Sequence, residues 1–202
     1  MAFKEELFDI RRKVISDDLI LNIKTTFELV RENMYLQNNL QFNEETKYLF
    51  NDYEIRKGFS YYGGYFTESL LIQLQPLIEA IVQSKVYPTF SYARFCYNGA
   101  ELLKHKDRMS GEYVVSMNIY KKNNIKWPIY FKKLNGETIN FELDPGDMVV
   151  YKGHDLEHWR EPYIGEEVIQ IFLMYVSVNG GFSHLKYDRR KNLGLPAPSK
   201  VS

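Results

Sequence analysis

The chain has 202 residues, 45% of them apolar and 26% charged, which suits one compact domain burying about 70% of its unfolded surface. Its 26 Lys and Arg balance 26 Asp and Glu, so no overall field draws it to nucleic acid or to an anionic membrane, and neither is expected as a partner. The single cysteine, Cys96, excludes an internal disulfide, and no apolar run nears the roughly 20 residues of a membrane span, so a soluble protein in a reducing, cytoplasmic setting is expected.

Sixteen Tyr, 13 Phe and 2 Trp make 15% of the chain, a content that suits sheets. The pattern divides near Pro88 into a mainly helical front, 1–87, and a strand-rich back, 88–178, followed by a tail, 179–202. Ser16-Asp17-Asp18 signals a helix start, and Leu19, Ile20, Ile23, Phe27, Val30 and Met34 follow at helical spacing. The polar, tyrosine-rich stretch 38–64, ending in Phe59-Ser60-Tyr61-Tyr62-Gly63-Gly64, reads as a long lid-like loop. A second helix starts at Thr67-Glu68 and runs with a broad apolar stripe to Val82, Pro76 being a point for a kink.

Beyond Pro88 the spacing predicts short strands over Thr89–Tyr97, Leu102–Asp107, Tyr113–Lys121, Ile129–Lys133, Thr138–Leu143, Met148–Tyr151, around His158, and Val168–Val178. Turn signals such as Asn98-Gly99, Asn135-Gly136 and Asp144-Pro145-Gly146 separate them. About eight short strands at this spacing imply a sandwich or barrel. The tail from Arg189 through Pro196-Ala197-Pro198 reads as an extended or disordered end.

The chemistry concentrates in the strand region. In His105-Lys106-Asp107 a histidine and a carboxylate stand two residues apart, so on a strand both point to one face. His158 follows 53 residues later, after enough chain for hairpins to return it beside them. Two histidines and a carboxylate on one face of an octahedron leave three positions open, the arrangement of non-heme Fe(II) oxygenases. The tripeptide alone is a weak signal, since a surface ion pair uses the same residues, and His154, four before His158, is an alternative third ligand.

The frame around these residues resembles the Fe(II)- and 2-oxoglutarate-dependent dioxygenases, closest to their prolyl-4-hydroxylase-like branch. The likeness spans about 88–178. It rests on Arg94-Phe95-Cys96-Tyr97-Asn98-Gly99 before His105-Lys106-Asp107, on Pro145-Gly146-Asp147-Met148-Val149-Val150-Tyr151, and on the order His158, Pro162, Gly165. The resemblance implies a double-stranded β-helix core (jelly roll, cupin-like). It implies Fe(II) held by His105, Asp107 and His158, 2-oxoglutarate as cosubstrate and dioxygen as oxidant. The reaction implied is hydroxylation, or demethylation through hydroxylation, of a small-molecule or peptide substrate.

One departure stands out. Where the family has Arg or Lys shortly after the glycine, this chain has Glu166, Glu167 and Val168. A buried dicarboxylate without a cation is costly, so another basic group must serve, with Arg94 the first candidate and Arg160 the second. An ion pair with nearby glutamates is the plainer reading of either. Tyr120, alternating with Ser116 and Asn118 on one strand face, and Gln170, interrupting an apolar run, are further candidates for the cosubstrate. His184 reads as a surface residue and Cys96 as a small buried apolar one. The lysines at 121, 122, 126, 132 and 133 read as a solvated basic hairpin or an edge for an acidic substrate. Two rivals keep the same barrel: a cupin-like metal-binding or scaffold protein, and an iron oxygenase with another cosubstrate.

Overall fold

The computed structural model describes residues 2–47, 49–50 and 55–196. A short helix, α1 (Ala2–Glu6), leads into strand β1 (Phe8–Arg11) and the long helix α2 (Asp17–Gln37). Strand β2 (Ile55–Tyr62) and helix α3 (Tyr65–Val82) follow. The rest is β: β3 (Val86–His105), β4 (Tyr113–Lys121), β5 (Ile129–Lys132), β6 (Thr138–Phe141), β7 (Met148–Tyr151), β8 (Glu157–Arg160) and β9 (Glu167–Ser177).

Helix α2 starts where its sequence says. Ser16 is extended at φ −70° and ψ 158°, and its Oγ accepts from the Leu19 amide at 3.3 Å while Asp17 and Asp18 face the positive end of the helix. Ile23, Phe27 and Tyr35 are buried along one stripe. No helix among the described residues is long and apolar enough to cross a membrane.

The strands bond in the order β1-β7-β4-β9-β3-β8-β5-β6, with β2 added to β3. That sheet is folded on itself. Ile129 and Phe131 of β5 share one apolar cluster with Val114 of β4, Val149 and Tyr151 of β7, and Phe172 and Met174 of β9, strands well removed from β5 in the bonding order. Period-2 alternation sorts β9 accordingly: Phe172 and Met174 face this interior, while Ile169, Ile171, Leu173 and Tyr175 pack under α2 and α3 with Ile23, Phe27, Leu71 and Ile78. Each such large apolar side chain contributes roughly 1.5–3 kcal/mol by burial. The expected double-stranded β-helix with N-terminal helices is the observed architecture.

Several boundaries differ from expectation. The two strands predicted around Asn98-Gly99 are the single strand β3, because Gly99, at φ 81°, bends the chain without reversing it and donates its amide to the Tyr163 carbonyl at 2.7 Å. β3 thereby pairs with β9 over Val86–Tyr97 and with β8 at Leu102 and His105, joining the two faces of the barrel. The lid-like reading of 38–64 is corrected in its second half: Ile55–Tyr62 is a strand on the edge of β3, held by its ladder. Ahead of it, Phe42 and Phe50 pack edge-on against Tyr35 of α2, on the helix side; Tyr48 and 51–54 lie outside the described residues. The tail is docked as far as residue 196. Arg190 is 8% exposed and donates to Glu68 of α3 at 2.6 Å and to the carbonyls of Thr89 and Leu195. Residues 197–202 of the predicted tail lie outside the described residues.

Candidate metal centre

β3 and β8 bring the first two ligands together. His105 is the direct antiparallel partner of His158, and the two rings stand 4.3 Å apart. Asp107 lies just past the end of β3, where its amide donates to the Gly153 carbonyl at 2.8 Å. Its carboxylate reaches Nε2 of His158 at 3.4 Å and Nε2 of His105 at 3.8 Å. One ligand atom from each of the three residues lies within 4.8 Å of the others, and among the described residues they form the one such cluster.

Both imidazoles are oriented by their own strands. Nδ1 of His105 donates to the Leu103 carbonyl at 2.8 Å, and Nδ1 of His158 to the Leu156 carbonyl at 3.0 Å. With Nδ1 carrying the proton, each ring turns an Nε2 lone pair toward Asp107, as a divalent cation requires. Burial, helped by the nearby His105, lowers the His158 imidazole to about 3, so it stays neutral at ordinary pH. The three side chains therefore fit a divalent metal: two imidazole nitrogen donors and one carboxylate.

Two residues that sequence reasoning missed complete this centre. A Cβ at Gly153 would collide with the Asp107 carboxylate and fall 2.7 Å from the Gly111 carbonyl, so only glycine leaves room for the ligand. Tyr151 of β7 is buried and its hydroxyl stands 3.3 Å from Nε2 of His158; burial holds its phenol well above the ordinary tyrosine range. Only the Gly in Lys152-Gly153-His154, a glycine beside a ligand strand, gave a sequence signal for either. His154, the alternative third ligand, instead turns its Nδ1 to the Asp107 carbonyl at 3.3 Å and its ring edge to Phe182.

A cavity of about 480 Å³ opens on His105 and Asp107 and is lined also by Ser60, Tyr62, Phe90, Tyr92 and Arg94. Arg94 is 2% exposed; its Nε donates to Ser60 Oγ at 3.0 Å and its guanidinium lies over the rings of Tyr92 and Phe172. Arg160, also 2% exposed, bonds the Trp127 carbonyl through Nη1, while its Nε and Nη2 have no hydrogen-bond partner among the described residues. Burial, with a smaller push from Arg94, lowers its guanidinium to about 10. Gln170 is the register partner of Arg94 on one side and of Asn118 on the other. Gln170 Oε1, Asn118 Oδ1 and Ser116 Oγ are buried without partners among the described residues. A buried inner face with spare donors and acceptors fits a polar guest better than an apolar one.

Tyr120 does not join them. A bulge between Asn118 and Tyr120 shifts the register, so Tyr120 packs on the helix side, with Lys24 over its ring at 4.8 Å. The two glutamates that follow Gly165 also point away from the cavity. Glu167 pairs with Arg31 of α2 at 2.5 Å and Glu166 with Lys122 at 2.5 Å. The basic hairpin is largely neutralised in place: Lys121 pairs with Glu142 and Asp144, and Lys133 with Glu6.

No family model and no curated protein matches the chain. Solved structures do. The chain is similar to AviO1 from Streptomyces viridochromogenes Tue57, with a TM-score of 0.66 and 17% identity over 97% of this chain and 95% of that one. It is similar to a Pseudomonas putida prolyl-4-hydroxylase at a TM-score of 0.62 and 14% identity, over 87% and 95% of the two chains. HygX from Streptomyces hygroscopicus, solved with nickel and 2-oxoglutarate bound, matches at a TM-score of 0.61 and 10% identity, over 88% and 85%. The chain therefore has the fold of these structures, and within it His105, Asp107 and His158 stand where they could hold a metal ion.

Proposed function

We propose that this protein is a non-heme Fe(II)- and 2-oxoglutarate-dependent dioxygenase that hydroxylates a small-molecule or peptide substrate, or demethylates it through hydroxylation. The observation that carries the reading is the convergence of His105 Nε2, His158 Nε2 and the Asp107 carboxylate within 4.8 Å beside a cavity of this fold. A metal held there would supply the means for dioxygen to act as oxidant, one of its oxygen atoms going to 2-oxoglutarate as that becomes succinate and carbon dioxide and the other to the substrate.

The chain's own residues do the rest. His105, Asp107 and His158 hold the metal on one face, and the Leu103 and Leu156 carbonyls keep both rings in the ligating tautomer. Arg94, in the wall of the same cavity, takes the far carboxylate of 2-oxoglutarate, with Gln170 beside it across the β3–β9 ladder and the buried Arg160 as a second cation. Glu166 and Glu167, paired on the outside, set no negative charge against that carboxylate. Tyr62, Phe90 and Tyr92 form an apolar wall that positions substrate and limits water. The buried, single Cys96 accords with a reducing, cytoplasmic setting.

The test is an anaerobic titration of the protein with Fe(II), with and without 2-oxoglutarate. The visible charge-transfer absorption of a 2-oxo acid chelated to Fe(II) is expected only when both are present. Metal binding without that absorption would overturn the assignment of the cosubstrate and leave a metal-binding barrel.

A further inference from the structure

The phenol of Tyr151 meets the triad at the atom that matters most. Its hydroxyl makes one hydrogen bond among the described residues, to Nε2 of His158 at 3.3 Å. Because Nδ1 of that ring donates to the Leu156 carbonyl, Nε2 is the acceptor and Tyr151 the donor. The bond therefore occupies the lone pair that a metal has to use.

The hydroxyl has little else to turn to. Tyr151 is 2% exposed, its ring set edge-on against Phe131 at 5.0 Å and against His158 at 4.8 Å. A metal taking Nε2 would strip the phenol of its acceptor and leave a buried donor unpaired, which is costly. An oxygen atom that arrives with the metal, on a second ligand in the open positions, restores the pairing. Metal and that ligand then bind better together than either does alone, a coupling that needs no conformational change.

Resting on the dioxygenase reading, we propose that Tyr151 is a positioning residue that couples the metal to its oxygen-bearing cosubstrate. Its O–H caps His158 Nε2 in the metal-free protein and donates to an oxygen of the 2-oxo acid once the metal is in place. Removing the hydroxyl should have opposite effects on the two binding events. Tyr151→Phe keeps the ring and its packing, frees Nε2, and leaves the cosubstrate oxygen without its donor.

The experiment is an anaerobic calorimetric titration of wild type and Tyr151→Phe with Mn(II) alone, then with 2-oxoglutarate on the Mn(II)-loaded proteins. Tyr151→Phe is expected to bind Mn(II) about fivefold to tenfold more tightly and 2-oxoglutarate on Mn(II) about fivefold to tenfold more weakly, each the net worth of one hydrogen bond. Unchanged affinities would overturn the proposal. Weaker Mn(II) binding by the variant would overturn it too, placing the hydroxyl on Asp107 or on the metal itself. So would a tyrosinate absorption of the oxidised Fe(III) protein that the variant lacks. Should the variant not fold, proton NMR of the metal-free wild type serves instead: a slowly exchanging hydroxyl proton with cross-peaks to the His158 ring, lost on adding Zn(II), is expected, and its absence overturns the cap. If wild type binds Mn(II) but no 2-oxoglutarate, the dioxygenase reading falls, while the tighter Mn(II) binding of the variant still decides the metal half.

Discussion

Two buried polar clusters lie on either side of the cavity and differ in how their charges are met. In the first, the C-terminal segment ties back onto the barrel. Glu68 and Arg190 pair at 2.6 Å with both side chains 2% exposed, and the Gly194 amide and the Thr89 and Leu195 carbonyls take up further bonding positions. Beside them Asp188 accepts two bonds from Arg108, at 2.9 and 2.8 Å, and one from the Tyr62 hydroxyl at 2.7 Å. In the second, two imidazoles and a carboxylate converge, near an inner face where Arg160, Gln170, Asn118 and Ser116 carry polar atoms without partners among the described residues. A cluster that satisfies itself is a fastening; one that does not is built for something the chain itself lacks.

Breaking the open cluster should abolish function and spare the fold. His105→Ala, Asp107→Ala and His158→Ala are each expected to lose stoichiometric Fe(II) binding in calorimetry while the metal-free proteins unfold cooperatively near the wild-type temperature. Retained binding by His158→Ala would move the third ligand to another residue. Breaking the closed cluster should do the reverse. Glu68→Ala leaves the Arg190 charge buried without its carboxylate and is expected to cost about 3–5 kcal/mol in chemical denaturation, with metal affinity kept by the folded fraction.

Smaller effects sharpen the contrast. Arg94→Gln removes a charge-assisted pair with a buried carboxylate and should weaken anaerobic 2-oxoglutarate binding roughly thirtyfold or more with Fe(II) affinity little changed. Arg160→Gln should give the milder loss, and affinity unchanged from wild type in both variants would remove the arginines from the cosubstrate site. Gly153→Ala forces the Asp107 carboxylate aside and is expected to weaken metal binding by about tenfold or more, as displaced supporting groups around metal ligands do. The acid limb of stability tests the fastening. Burial pushes the Asp188 carboxyl up, but the bonds from Arg108 and Tyr62 outweigh it and hold it below the usual carboxylate range. Its contribution is thus complete above the unfolded value of about 3.9 and is lost as pH falls through the lower folded value. Asp188→Asn should flatten the wild-type loss of stability below pH of about 4, measured by urea unfolding across acid pH.

His105 and Asp107 were legible from their two-residue spacing, although Asp107 lies just past the end of β3, and His158 from the likeness of its Pro162 and Gly165 frame to a known family. Tyr120 was misplaced for the same reason: strict alternation puts it beside Asn118, and one bulge after Asn118 turns it to the helices. Strand β2 escaped notice because its one buried run, Gly58-Phe59, is short and its identity as a strand comes from the edge of β3, not from its own pattern. The roles of Gly153 and Tyr151 are not written in the segment that holds them; they rest on the distance to Asp107 and His158, residues far from them in the first case and on another strand in the second.

By itself the sequence determined the helical front and β back and the pairing of His105 with Asp107, since these follow from local periodicity, capping and spacing; the jelly-roll core and His158 as third ligand came from its likeness to a known family. The tertiary structure alone decided what those residues meet. It made one strand of two, turned Glu166 and Glu167 outward to Lys122 and Arg31, put Arg94 in the cavity wall, and set a tyrosine hydroxyl on a ligand nitrogen. Those outcomes depend on register, bulges and the closing of a sheet on itself, which are properties of pairs of strands and are written in no single one of them.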